Sequence, residues 1–257
     1  LLPYGKLRMS WAQVGSDTDP YQLGLVYTKS KFTYPGYTIG YINNNTIPNK
    51  DLKPTRTNSF EIGIETKFLN NRMGLDITYY SQKSKNQIMG MASSWTSGYT
   101  YRLINAGEID NKGLEIALNT RPIQTKDFSW DLNLNFSKNS NKVKRLVDDM
   151  DMFELEKASW LDVQVAAKVG ENFGSIVGPD FKRNDAGQIL INPSTGLPEY
   201  DKSNHVLGNA SWKWTGGITT TLTYKNLSLN AIFDVKVGAD LYSMSARASY
   251  ESGKAKQ

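Results

Sequence analysis

The sequence predicts an all-β fold: an antiparallel transmembrane β-barrel segment with short turns at one end and long extracellular loops at the other. Three observations predict it. Apolar and polar residues alternate over several segments, and successive strand side chains point to opposite faces, so each segment has one greasy and one wet side. The alternating runs are about nine to fifteen residues long, nearer the roughly nine to eleven of a tilted bilayer-crossing strand than the five or six usual in a soluble sandwich. Short and long connections take turns along the chain, as they do in barrels with short periplasmic turns and long outer loops. A soluble β-sandwich with one face on a core gives the same alternation and stays open as the competing architecture.

The first run, from about Tyr4 to Gln13, sets Leu7, Met9 and Trp11 against Lys6, Arg8 and Ser10. A stretch rich in Gly, Asn, Asp and Pro follows and reads as loop. From about Arg56 to Phe68, Phe60, Ile62, Ile64 and Phe68 oppose Ser59, Glu61, Glu65 and Lys67; the Leu69-Asn70-Asn71 turn then leads into a run with Met73, Leu75, Ile77 and Tyr79 opposite Asp76, Thr78 and Tyr80. So short an Asn-rich link between two alternating runs is a hairpin signal. After the long link MGMASSWTSGYTYRLINAGEIDN, a strand from about Lys112 to Thr120 carries Leu114, Ile116 and Leu118 on one face. The short RPIQTKD joins it to a strand from about Phe128 to Ser137, where Trp130, Leu132, Leu134 and Phe136 face away from Asp131, Asn133, Asn135 and Ser137. Residues 139–209 form the longest break and read as a long extracellular loop region. Within it KVGENFGSIVG suggests a short strand and NDAGQILINPSTGLPEY a hairpin between Gly-containing turns. A last pair, from about Ala210 to Tyr224 and Leu227 to Val237, closes around Lys225-Asn226 with Ile218, Leu222, Leu227, Leu229 and Phe233 on the apolar side. Roughly seven long strands result. Trp11, Phe68, Tyr79, Phe128, Trp130, Trp212 and Tyr224 are expected near strand ends, where interfacial aromatics belong.

Composition narrows the function classes. No run approaches the roughly 18 to 20 apolar residues of a membrane helix, and the mean hydropathy is −0.49. That leaves a barrel open, because only alternate strand residues meet lipid. The 257 residues contain no cysteine, which removes disulfide, thiolate and Cys-ligated metal chemistry from this stretch. The net charge of +5 is spread along the chain without a dense basic block, so nucleic acid is not an expected partner. No basic start or small-residue cleavage site opens the sequence, and both ends are expected to be cut from something longer.

Catalytic tools are sparse. His205 is the single histidine, without a Cys or a Gly-x-Ser-x-Gly elbow beside it, so triad and zinc chemistry lack partners and no enzyme is expected. Asp148, Asp149 and Asp151 could offer oxygens to calcium, but they lack the spaced ligands of a calcium loop and read as a solvated acidic loop. GENFGS lacks the lysine of a phosphate loop. No metal or cofactor is expected. Aromatic faces beside polar groups suit sugars or peptides, which makes Trp95, Tyr99, Tyr101 and Arg102 in one long loop and Trp160 in another the candidate substrate contacts. On the polar strand face, Glu61, Glu65, Asp76, Glu115, Asp131 and Asn133 are the candidate lumen-lining residues.

Four stretches taken in order, DLKPTRTNSFEIGIETKF, NNRMGLDITYYSQKSKNQI, INAGEIDNKGLEIALNTRPI and DFSWDLNLNFSKNSNKV, resemble the barrel of the SusC/RagA family of TonB-dependent outer-membrane transporters. The family's usual LKPE stands here as Leu52-Lys53-Pro54-Thr55, and NAGEIDNKGLE is the most specific piece. The resemblance covers nearly the whole chain. It implies a C-terminal portion of a barrel of about 22 strands, without the plug, the TonB-contacting box or the final strands. It further implies import of a glycan, oligosaccharide or peptide across the bacterial outer membrane, with TonB engaged through the N-terminal part and a SusD-like surface lipoprotein as lid. Gly107 and Gly113 frame Ile109-Asp110-Asn111-Lys112, where glycine is expected to permit a turn or bulge at strand entry. Against this stands the alternative of a soluble surface β-sandwich for carbohydrate binding or adhesion.

Overall fold

The computed structural model describes residues 3–20, 23–32, 34–41, 45–147, 150–157 and 162–254. Seven long strands form one antiparallel sheet: β1 (Tyr4–Ser16), β2 (Thr55–Phe68), β3 (Met73–Lys85), β4 (Glu108–Gln124), β5 (Phe128–Arg145), β6 (Trp214–Tyr224) and β7 (Leu227–Val237). Their order in space is their order in sequence, with β1 and β7 as the two edges. Such a meander is the unit from which an up-and-down barrel curls.

Register fixes the faces. Leu7, Ile64, Ile77, Ile116 and Phe136 lie side by side across five strands, and Leu75, Leu118, Leu134, Ile218 and Phe233 form a second row. The opposite face carries the row Lys6, Glu65, Asp76, Ala117, Asn135, Gly217 and Asp234. The apolar face is uncovered: Leu7 is 62% exposed, Met9 63% and Phe233 56%. A sandwich would lay a second sheet over these side chains; none of the described strands does so.

The short turns gather at one rim. Leu69, Asn70 and Asn71 all adopt positive φ, as does Lys225, which the two asparagines tolerate more readily than the leucine does. Neighbouring turns are tied together, with the Arg121 N–H donating to the Arg72 carbonyl and the Lys225 N–H to the Asp127 carbonyl, each at 2.8 Å. The link after β4 is shorter than RPIQTKD suggested. β4 runs to Gln124, accommodated by a register shift between Trp130 and Leu132.

At the other rim the connections carry their own structure. Ile88–Ala92 and Tyr101–Asn105 pair as a hairpin, with Thr46–Ile47 alongside in parallel, in what reads from sequence as plain loop. Met152–Lys157, Gln164–Lys168, Ser175–Phe181 and Tyr200–Asn209 build a four-stranded antiparallel sheet. The expected small hairpin follows Phe181, turning at Asn184–Gly187 and held by bonds such as Leu190 N–H to the Lys182 carbonyl at 2.8 Å. β5 itself continues eight residues beyond Ser137, still paired with β4. The fully buried core sits in this layer, not under the long sheet: Val143, Leu146, Phe153 and Ala167 cluster there, with Met89, Met91 and Met150 against them.

The two glycines of NAGEIDNKG have different tasks. Gly107 has φ +93°, and a Cβ there would stand 2.6 Å from the Arg145 carbonyl oxygen, so it permits the turn from hairpin into β4. Gly113 makes neither turn nor bulge. It lies in regular strand opposite Tyr80, whose ring occupies the space of the missing side chain. Gly107→Ala is expected to cost about 1–3 kcal/mol through the left-handed backbone alone. Limited proteolysis should show earlier cleavage within 88–105; unchanged protection would contradict this role.

Candidate functional site

The polar face of the long sheet is built around Arg8. Its guanidinium lies over Gly63, where a Cβ would stand 2.9 Å from Nη2, and reaches the strand beyond. Nη1 donates to Asp76 Oδ2 at 2.8 Å and Nη2 to Asp76 Oδ1 at 2.7 Å, a two-pronged charged contact. Nη2 also donates to Thr78 Oγ1 at 3.0 Å, the Thr78 hydroxyl donates to Asp76 Oδ1 at 3.2 Å, and Glu65 lies 3.6 Å from Nη1. One arginine thus joins three strands.

Beside this knot is a hollow of about 800 Å³ touched by Glu61, Asp76, Tyr80, Glu115 and Asn135. Tyr80 donates its hydroxyl to Asn139 Oδ1 at 3.2 Å across β4, over Gly113. Directly opposed, Asn111 and Asn141 each keep a buried side-chain oxygen without a hydrogen-bond partner among the described residues. The hollow therefore offers acceptors, a hydroxyl and carboxylates on open β-sheet. A second hollow of about 400 Å³ lies towards the short turns and is touched by Lys67, Arg72, Arg121, Asp131 and Asn133. There Arg121 Nε donates to Asp131 Oδ1 at 2.6 Å.

Glu61, Glu65, Asp76, Glu115, Asp131 and Asn133 share this one face. Glu65 and Asp76 meet at Arg8, Glu61 and Glu115 join Asp76 around the larger hollow, and Asp131 and Asn133 belong to the smaller one. Arg8 and Tyr80 are the organising residues that sequence alone leaves unmarked. Their polar phase is visible in the alternation, but a contact between residues 68 apart needs the register.

The loop candidates scatter. Trp95 opens a 3-10 turn, Trp95–Ser97, and Trp160 lies outside the described residues, as do Asp148 and Asp149. Tyr99 is half-buried. Tyr101, 46% exposed, and Arg102 stand on the hairpin strand, and an Arg102 N–H lies 3.9 Å from the Met91 sulfur. Tyr101 lines a cavity of about 670 Å³ at the hairpin edge. No group of three metal-ligating side chains forms among the described residues.

His205 lies within a strand, its Nε2 2.9 Å from both Asp201 Oδ2 and Ser203 Oγ. Hydrogen bonds from the Ser203 backbone and hydroxyl, then from His205, hold the Asp201 carboxyl down at about 2. A carboxylate depressed on folding adds stability above its unfolded value, near 3.9, and loses it as pH falls towards 2. Exchange protection of 200–209 should therefore drop across that window in the wild type and much less in Asp201→Asn; identical profiles would contradict the assignment.

Known proteins resemble this chain in sequence and in fold. The family model described as TonB dependent receptor-like, β-barrel matches residues 2–231. The chain is 30% identical over 265 residues to TonB-dependent receptor SusC of Bacteroides thetaiotaomicron, covering 95% of this chain and 26% of that protein. To TonB-dependent receptor P3 of Formosa agariphila it is 27% identical over 263 residues, covering 92% and 26%. Among solved structures, the RagAB peptide transporter superposes with a TM-score of 0.73 at 20% identity, over 92% of this chain and 27% of that chain, a likeness of fold. The chain spans about a quarter of the length of the relatives it matches.

Proposed function

Because the chain belongs to the TonB-dependent receptor-like β-barrel family, with its likeness running to SusC and RagA, we propose that it is part of the barrel wall of a nutrient importer. Family membership places it in the bacterial outer membrane. The observation that carries the proposal is the long sheet with two chemically opposed faces, the apolar one uncovered. In this reading lipid meets the rows containing Ile77 and Leu134. The polar face with Arg8, Glu61, Glu65, Asp76, Glu115, Asp131 and Asn133 lines the passage of a barrel of about 22 strands.

The protein acts by binding and translocation, with no chemistry on its cargo. The Arg8 fork stiffens a wall that must stay open to water and polar solute, because charged groups there are matched in place and need no covering layer. The rim of hairpin and four-stranded sheet is the outer end, where a glycan, oligosaccharide or peptide arrives and a SusD-like lipoprotein sits as lid. RagAB is itself described as a peptide transporter. TonB engages through parts of the receptor beyond these residues.

Growth of cells carrying the full-length receptor on defined oligosaccharide or peptide mixtures tests this. Growth that requires both receptor and TonB, with a surface lipoprotein co-purifying, is the expected result. Uptake indifferent to TonB would overturn it.

A further inference from the structure

We propose that the lysines at the outer end of the apolar face of β3 to β5 bind the phosphates of an anionic lipid in the outer leaflet. This rests on the barrel-wall reading, in which that face meets the membrane. Followed outward from the short turns, the first charged side chain on the face is basic on each of four adjacent strands: Arg56 on β2, Lys83 on β3, Lys112 on β4 and Lys138 on β5. Nothing charged precedes them in that phase, which runs on β3 from Met73 to Ser81. Lys142 follows on β5, one pair beyond Ser140.

Register gathers four of these groups. Lys83 and Lys142 both pair with Asp110, while Lys112 pairs with Ser81 and Ser140. Side chains one pair out of step on neighbouring strands are diagonal neighbours roughly 7–8 Å apart. Lys112 therefore stands diagonal to Lys83 on one side and to Lys138 and Lys142 on the other. All four lysines are exposed, and none forms an ion pair among the described residues. The two acids of the band already have partners: Asp110 Oδ2 is 3.9 Å from Lys144 Nζ, and Glu108 Oε1 is 3.7 Å from Lys85 Nζ. Like charges this close repel, and a multiply charged anion among them turns the repulsion into attraction.

Height and surroundings select a lipid over a free anion. Lys83 is ten residues from Met73 at the start of β3, and Lys138 ten from Phe128 at the start of β5. At roughly 2.5 Å of depth per residue in a tilted strand, both are about 25 Å from the short turns, the height of the apolar band. Lys112 and Lys142 stand farther out, twelve and fourteen residues from the same ends. Directly beneath are Tyr79, Leu114 and Phe136, so a ligand with phosphate above and hydrocarbon below matches both zones. The chain's own outer layer leaves this surface open. Val143 turns the other way, into the buried cluster with Phe153 and Ala167, while Lys142 beside it stays exposed.

The test uses the full-length receptor in dodecyl maltoside micelles and diphosphoryl lipid A, an acylated disaccharide with two phosphates, counted as bound adducts by native mass spectrometry. Saturable binding is expected, about fivefold weaker in Lys112→Gln and at least about fiftyfold weaker when Lys83, Lys112, Lys138 and Lys142 are all changed to Gln. The single variant decides the matter if the fourfold one does not fold. Lys202→Gln, exposed on the four-stranded sheet, should bind as the wild type does. Removing both phosphates from the lipid should weaken binding at least about tenfold, and millimolar inorganic phosphate should not displace it. Absence of saturable binding overturns the proposal. So does equal binding by the wild type and Lys112→Gln, an equal loss in Lys202→Gln, indifference to the lipid's phosphates, or displacement by inorganic phosphate. Uptake that stays TonB-dependent in any of these cases leaves the importer standing; TonB-indifferent uptake in the wild type removes the importer itself.

Discussion

Ile77→Arg is expected to destabilise the assembled receptor by about 2–4 kcal/mol, the cost of arginine on the lipid face near the bilayer midplane. Ile77 is in the middle of the row Leu7, Ile64, Ile77, Ile116 and Phe136. A tilted strand gains roughly 2.5 Å of depth per residue, so its distance from the short turn places it about 10–12 Å inside an apolar band roughly 25 Å tall. The matched control is Asn133→Arg, exposed on the other face, where a shift within about 0.5 kcal/mol is expected. Urea titration of the full-length barrel in lipid vesicles measures both. Equal costs on the two faces would mean that they do not meet different solvents.

Phe153→Ala is expected to remove about 3–5 kcal/mol from the outer layer. Phe153 is 8% exposed and packs with Val143, Leu146 and Ala167, while Met89 and Met91 come onto the same cluster from the hairpin. Val143 and Leu146 lie at the end of β5 and just past it, so one aromatic ring joins the long sheet to both small sheets. Because so few residues are fully buried here, the surroundings have little else to collapse onto. Hydrogen exchange should quicken across 88–105 and 152–209 while the short-turn halves of β1 to β4 stay protected. A uniform rise over the chain, or none, would contradict a separate outer core.

The faces of the strands were legible because two solvents impose a period of two wherever a strand separates them. Thus Leu132, Leu134 and Phe136 could be assigned to one side before any partner strand was known. That signal stops where both faces turn polar. KNSNKVKR carries no alternation, yet it continues β5 because its backbone ladder to β4 still closes, and so the strand reaches Arg145 and not Ser137. The hairpin 88–105 was obscured by its Gly, Ser and Thr content, with methionine standing where β-branched residues usually signal strand. Asn70 and Asn71 announced their turn, while Leu69, also at positive φ, did not.

The candidate site divides the same way. Alternation put Glu61, Glu65, Asp76, Glu115, Asp131 and Asn133 in a common phase, and pairing carries that phase across five strands. Which of them meet was not legible, because the Arg8 fork depends on register across a long connection. Gly113 looked like a turn residue; only the Tyr80 ring lying over it explains a glycine in mid-strand. The aromatic loop pattern offered no geometry at all, although Tyr101 lines a cavity.

The most direct measurement is electron paramagnetic resonance of the full-length receptor in lipid vesicles, with single spin labels at successive positions from Trp130 to Ser137. Residues 1–257 contain no cysteine of their own to interfere. Labels at Trp130, Leu132, Leu134 and Phe136 should be relaxed by lipid-dissolved oxygen, and those at Asp131, Asn133, Asn135 and Ser137 by a water-soluble nickel chelate, alternating residue by residue. Water access at all eight positions would contradict a wall between lipid and a polar passage.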